Sequence, residues 1–328
     1  MTHNTSINLY VGLPIAALQG DEAALNQKAV QDFLNGPHTW RADKVEQQLD
    51  VANVVVASQP VAAMFDFLLD DRGEMPPDKK LLFKKEIGVL GIGMNTVDLL
   101  DVDNGAAVPA RTVGQNRGVR RLLELSNTDG LYTLAEMDDR LRAGTLDVTT
   151  AAPVWSREVT GLLEQAWETH FKRFAAIIVI GGGVMIPALR EALLKRFNGK
   201  AFIPIDPVLA TARGLYKYAL MKAAKSGDTR EPIAFDAGFG NIKLFGPKGG
   251  LEMQSAVATD GSRSLGKLVG LRQTRRPLYI ENERGAFYVG HGAHQFGRPV
   301  QNLDFDRLTG SPEMLALFHG ALTLYLKR

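Results

Sequence analysis

"IAFDAGFGNIKLF", residues 233–245, sets an acidic side chain and two glycines between two apolar runs. Gly238 and Gly240, two apart, mark a backbone that turns tightly or lies close to something bulky and charged, since glycine has no Cβ to obstruct either. Asp236 stands at the end of the first run, and Asn241 and Lys243 begin the second. The stretch opens the last third of the chain rather than the first.

The same plan recurs upstream. "VLGIGMNTVD", residues 89–98, again runs strand, glycine-bearing turn, strand, and each hairpin heads an α/β unit. Two such hairpins suit two lobes closing on a polyphosphate, because turn amides point inward and small residues permit close approach. A third glycine stretch, "VIGGGVMIP" (179–187), leads from an apolar strand into a helix with Pro187 in its first turn.

Strand-like runs alternate with helical spacing along the rest of the sequence, which argues for an α/β protein with sheets covered by helices. "INLYVGLP" (7–14) and "LDVANVVVASQP" (49–60) read as strands, the second followed by helical spacing in "VAAMFDFLLDD". Helices are expected around 118–126, 156–174, 187–197 and 203–223, and "KSGDTREP" (225–232) reads as a polar linker.

Composition sets limits. With 328 residues, 45% of them hydrophobic and 23% charged, the chain can bury the core of two domains or of one bilobal domain. Lys and Arg total 38 against 36 acids, which gives no footprint of direct nucleic-acid binding, and Arg272–Arg276 reads as a solvated face. The sequence has no cysteine, which excludes a disulfide scaffold, a thiolate zinc site and a cysteine nucleophile, and fits the cytoplasm. "MTHNTSINLYVGLP" has neither a basic segment nor a long apolar run, so no signal peptide is expected, and no stretch suits a membrane span. His291 and His294 share a glycine-rich loop, where a loop role is favoured over metal ligation.

Familiar phosphate motifs do not fit. The opening stretch runs into another strand and lacks a third glycine, against the dinucleotide fingerprint. "GSRSLGKL" (261–268) approaches a P-loop, but Leu268 stands where a magnesium-binding hydroxyl is needed. Kinase signatures and a serine elbow are missing.

The surviving pattern resembles the bacterial actin-like plasmid-segregation proteins of the ParM/StbA type. "FDAGFGNIK" is similar to their first phosphate loop, through Asp236, Gly238, Phe239, Gly240, Asn241 and Lys243. "VLGIGMNTVD" is similar to the second, through Gly93, Met94, Asn95, Thr96 and Asp98, and Gly181, Gly182, Gly183, Val184 and Met185 to the adenosine loop. "VVVASQPVAAMFDFLL" resembles the segment that orients the attacking water, which would be Gln59. Further likeness in "VGLP", "IDPVLATARGLYKYA", "FYVGHGAHQFG" and "FDRLTGSPEMLALFHGAL" extends it over most of the chain.

The order of these parts differs from the family. There the first phosphate loop begins the chain, whereas here it follows the adenosine loop and the helix that usually comes last. The resemblance therefore implies an actin-like ATPase fold, two RNase H-like lobes each with a mixed sheet flanked by helices, in circularly permuted order. Lobe I is expected from 1–85 and 206–328, with the old ends joined near 222–232, and lobe II from 86–205. A linker of about ten residues reaches up to roughly 33 Å, enough to join ends that lie on one lobe.

Function follows from the resemblance in the same way. ATP would lie between the lobes, its phosphates held by the glycine turns and Lys243, with Mg2+ held through water by Asp236 and adenine against the Gly181–Met185 loop. Gln59, Asp236 and Asp98 are the expected catalytic positions. Where the family has an aspartate opening the second loop this chain has Gly91, which points to slow turnover, and Asp98 is either a compensating acid or a strand-end structural one. Gln59 likewise has a second reading, as a residue capping a helix ahead of Pro60. Stacking of ATP-bound subunits into a homopolymer, with ADP weakening the contacts, and an adaptor linking the filament to plasmid DNA are implied, with no membrane partner. A non-polymerising small-molecule kinase and a nucleotide-responsive scaffold with little turnover are the alternatives.

Overall fold

A computed structural model describes residues 6–259, 276–300 and 309–328. The near P-loop at 261–268, most of the basic run at 272–276 and residues 305–308 of the "FDRL" segment lie outside the described residues. The chain begins with β1 (Ser6–Leu13), α1 (Ala23–Leu34), the hairpin β2 (Gly36–Ala42) and β3 (Val45–Ser58), then α2 (Gln59–Leu68) and α3 (Pro77–Phe83). The hairpin β4 (Ile87–Ile92) and β5 (Val97–Asp103) follows, with short β6 (Ala106–Ala107) and β7 (Val113–Gln115). After α4 (Val119–Ser126), α5 (Leu134–Arg142) and α6 (Ala151–Trp167) come β8 (Ala176–Ile180), α7 (Pro187–Phe197), β9 (Ala201–Phe202) and α8 (Ala210–Ser226). The meander β10 (Glu231–Ala237), β11 (Asn241–Gly246) and β12 (Gly249–Gln254) leads to β13 (Val257–Thr259), β14 (Leu278–Asn282), β15 (Gly285–Val289), β16 (Arg298–Pro299) and α9 (Pro312–Leu326).

Two sheets result. One runs β12-β11-β10-β1-β3-β2-β14-β15-β13-β16, the other β6-β5-β4-β8-β9 with β7 on β5. The second sheet and the first five strands of the other share a plan: an antiparallel meander whose first strand lies beside the next two strands of the sheet. Chain order separates them. In the smaller sheet the meander β4–β6 precedes β8 and β9, whereas in the larger sheet β1 and β3 come first and the meander β10–β12 comes last.

The smaller sheet is covered on both faces, which is why β4 and β8 read as continuous apolar runs. Alternate residues divide between two cores. Leu90, Ile92, Val97, Leu99, Ile177 and Val179 pack with Trp155, Trp167, Phe174 and Phe197, while Ile87, Val89, Leu100, Val102, Ile178 and Ile180 pack with Ala63, Met64, Leu68 and Ala210. In the larger sheet α9, apolar almost all round, is nearly fully buried.

Compactness divides the chain into Met1–Val11, Leu25–Val56 and Arg230–Arg328 on one side and Gly12–Ala24 and Ala57–Thr229 on the other. This partition differs from the expected lobes by grouping 12–24, 57–85 and 206–229 with the second unit. α2 and α8 group together because they are closely paired, a Cβ at Gly214 lying 1.8 Å from the carbonyl oxygen of Ala62, and they join the second unit because Ala63, Met64, Leu68 and Ala210 pack on the smaller sheet. The expected linker near 222–232 needs correction. The Lys- and Ala-rich end of α8 carries the helix to Ser226, Gly227 closes it in the left-handed region, and β10 starts at Glu231, so only 227–230 connect them.

In the first unit a chain of histidines ties early to late sequence. His38 Nε2 lies 3.0 Å from the Leu34 carbonyl, which can only accept, so His38 Nδ1 accepts from His319 Nε2 at 3.2 Å. His319 Nδ1 then accepts from Asn282 Nδ2 at 3.4 Å, and Trp40 stacks on the His319 ring at 4.6 Å. Both imidazoles are neutral in this arrangement. Burial pushes the pKa of His38 down and that of His319 to about 3. Among the described residues no helix is long and apolar enough to cross a membrane.

Candidate functional site

The β10–β11 hairpin carries the first set of residues. Its turn is tight: the Gly238 amide donates to the Asp236 carbonyl at 3.0 Å, and a Cβ on Gly238 would lie 2.6 Å from the Asn241 carbonyl oxygen and 2.8 Å from Lys243 Nζ. Ser255 holds the turn from below, its hydroxyl donating to the Gly238 carbonyl at 2.6 Å and its amide to that of Gly240 at 2.9 Å. Both glycine carbonyls are thereby turned to Ser255.

Register aligns the side chains. Asp236 pairs with Lys243 across β10 and β11, and the buried carboxylate accepts from Lys243 Nζ at 2.9 Å. Lys243 pairs in turn with Glu252 across β11 and β12, and Asn241 with Gln254. Asn241 donates through Nδ2 to Glu252, while its buried Oδ1 has no partner. Gln254 Oε1 lies 3.3 Å from Nδ1 of His291, which the glycine-rich 289–297 stretch supplies. Sequence reasoning missed Glu252 and Ser255, because β12 carries no glycine signal and only the register brings it to the loop.

The second unit builds a different turn at β4–β5. The Gly93 amide donates to the Thr96 carbonyl at 2.9 Å, and the carbonyls of Gly93, Met94 and Asn95 accept from the amides of Val119, Arg120 and Gly118. The amides at the start of α4, which have no partner inside the helix, are satisfied by the loop. This needs close approach, since a Cβ on Gly118 would sit 2.5 Å from the Met94 carbonyl oxygen. Gly118 is a third residue the sequence reading missed; its glycine-before-helix pattern was the available signal.

The Gly181–Met185 loop lies against the end of β4. A Cβ on Gly181, at φ +91°, would be 2.3 Å from the Ile92 carbonyl oxygen, and one on Gly183 2.1 Å from the Ile92 side chain, whereas Gly182 faces open space. Val184 is buried and Met185 exposed. The structure thus brings Gly93–Thr96 and Gly181–Met185 together at one end of β4.

Asp98 supports the β4–β5 turn through Thr96. Asp98 is buried, accepts from Thr96 Oγ1 at 2.8 Å and from the Ile15 amide at 3.2 Å, and burial raises its pKa to about 6. Gly91 stands directly across from it in the register, where a Cβ would make only ordinary contacts. An aspartate there would set two carboxylates side by side, a strongly unfavourable pair unless one is protonated. Gln59 opens α2, and its Cγ converges with Thr211 and Leu215 on Gly12. Ser58, not Gln59, holds the N-cap position of that helix. Among the described residues no group of three acidic, His or Cys side chains could hold a metal on its own.

No protein-family model matches the sequence, and no curated protein matches it. Solved structures do. Apo ParM of pSK41 superposes with a TM-score of 0.51 at 17% identity over 68% of this chain and 65% of that one. The actin-like protein Alp7A gives 0.54 at 14% identity, covering 68% and 69%. A 15-stranded ParM filament from Clostridium botulinum gives 0.52 at 17% identity, covering 66% of each chain. The fold is actin-like. At these identities the likeness establishes the architecture, and the chain spans less than two thirds of the pSK41 protein.

Proposed function

We propose that the chain binds ATP through its glycine hairpins and assembles into nucleotide-dependent filaments, in an actin-like fold whose chain order is circularly permuted. The observation that carries the reading is the recurrence of one hairpin turn in each sheet, Asp236–Lys243 and Gly93–Asp98, each between the first two strands of its own meander in two similarly ordered five-strand runs. The late position of β10–β12 supports the permutation, since moving them ahead of β1 would give the larger sheet the chain order of the smaller one. In this reading the lobes remain 1–85 with 206–328, and 86–205.

The chemistry is positioning and electrostatics. Phe239 and Gly240, with Met94, Asn95 and Thr96, offer backbone amides to phosphate oxygens, on turns that the engaged amides of Gly238 and Gly93 close, and Lys243 turns from Asp236 to the phosphates. Gly182 and its neighbours Gly181, Gly183, Val184 and Met185 receive the adenosine. Gln59 orients the attacking water. Asp236 and the unpartnered Asn241 Oδ1 are hard oxygen groups, which fits Mg2+ held through its waters. Bound there, Mg2+ would neutralise charge on the phosphates.

Slow turnover accords with Gly91 and with an Asp98 already satisfied by Thr96 and Ile15, and it favours a nucleotide-responsive scaffold as the second reading. Head-to-tail filaments linked to plasmid DNA by an adaptor, in the cytoplasm, complete the proposal. Electron microscopy of the purified protein with Mg2+ and ATP, with ADP, and without nucleotide tests it. Filaments only with ATP support the reading, and a protein that stays monomeric at high concentration under all three conditions overturns it.

A further inference from the structure

The polar face of the β10–β12 meander holds one residue that the phosphate-loop pattern does not account for. Directly opposed residues of an antiparallel pair share a face, so Asp236, Lys243 and Glu252 form one row across three strands, with Asn241 and Gln254 in the next. The Lys243 charge is met by Asp236 at 2.9 Å. Among the described residues Glu252 makes no ion pair, so the row carries acid, base, acid and one net negative charge.

Asn241 sharpens the point. Its Nδ2 donates to Glu252, which can only accept, and that fixes the amide so that the buried, unpartnered atom is Oδ1. A buried acceptor left unpaired is costly and calls for a donor. Polyphosphate oxygens are acceptors and anions, and match neither Glu252 nor Asn241 Oδ1. A polyphosphate carrying a hydrated divalent cation matches both, because the cation offsets the carboxylate and its waters donate.

Resting on the nucleotide reading above, we propose that Glu252 makes binding at this hairpin conditional on a divalent cation: it repels the free polyphosphate and accepts the cation complex. Glu252→Gln removes the charge and keeps an oxygen to accept from Asn241, so a merely structural role would survive it. Glu252→Lys reverses the charge on an exposed site.

The test is equilibrium binding of a fluorescent ATP derivative to wild type and both variants, with Mg2+ and with chelator, after matched thermal melts. A unit charge some 7 Å from a phosphate, in a medium between protein-surface and bulk-water dielectric, supports factors from a few-fold to tens-fold. Wild type is expected to lose about tenfold or more in affinity in chelator and Glu252→Gln about threefold or less. In chelator the order of affinity runs Glu252→Lys, Glu252→Gln, wild type. Equal chelator-induced losses in all three, or wild type binding equally well in chelator, overturns the role of Glu252 and leaves nucleotide binding standing. Saturable binding by none of the three under either condition overturns both.

Discussion

Replacing Asp98 by Asn should change how stability depends on pH by an amount the burial of that carboxylate sets. Asp98 is 3% exposed, accepts two hydrogen bonds, and has its pKa raised from 3.8 to about 6. An acid with a raised folded pKa keeps its proton on folding, so its favourable contribution is present below about 4 and is lost as pH rises through about 6. The gap of roughly two units corresponds to about 3 kcal/mol. Asn has no proton to lose, and its Oδ1 can still accept from the Ile15 amide. Urea unfolding followed by tryptophan fluorescence, at steps from about pH 4 to about pH 8, gives the difference between variant and wild type. Other titrations cancel in that difference, those of His38 and His319 included. The variant is expected to gain about 3 kcal/mol on wild type across the range, most of it between about pH 4 and pH 6. A difference that stays level with pH would refute the reasoning, because it would mean that Asp98 titrates alike in folded and unfolded chains.

Gly214→Ala should destabilise by at least about 1–3 kcal/mol, since the added carbon meets the Ala62 carbonyl at 1.8 Å and the paired helices must separate; denaturant midpoints within error of wild type would count against the packing account. The folded pKa values of His38 and His319 are lowered, so stability is full above the ordinary histidine pKa of 6.5 and falls as pH drops below it. His319→Gln should flatten that acid limb in melts taken at falling pH. Lys243→Gln should weaken ATP binding at least tenfold, measured by calorimetry with Mg2+ present below the variant's melting temperature, which should itself fall because the buried Asp236 carboxylate loses its ion pair. Gly91→Asp places a second acid opposite Asp98, and should lower the melting temperature above pH 6 more than below it; phosphate release from the same preparation tests whether that position limits turnover.

The hairpins were legible because they depend on local chemistry. Gly238 tolerates no Cβ, nor do Gly181 and Gly183, and such demands surface in sequence as glycines at fixed offsets from apolar strands. The burial of β8 on both faces likewise shows directly as an unbroken apolar run. The linker was misjudged where helix propensity carried α8 through a polar segment. The early α1–β2 segment went unread, and its anchoring through His38 to His319 joins positions at opposite ends of the chain.

The sequence by itself determined an α/β chain with two glycine-bearing hairpins of one plan, because turn glycines and strand periodicity are properties of neighbouring residues. Only the tertiary structure decided what stands opposite what. Gly91 faces Asp98, Glu252 faces Lys243, and Asp98 reaches Ile15, because strand register and backbone approach between distant segments are set by packing and hydrogen bonding that no local pattern encodes.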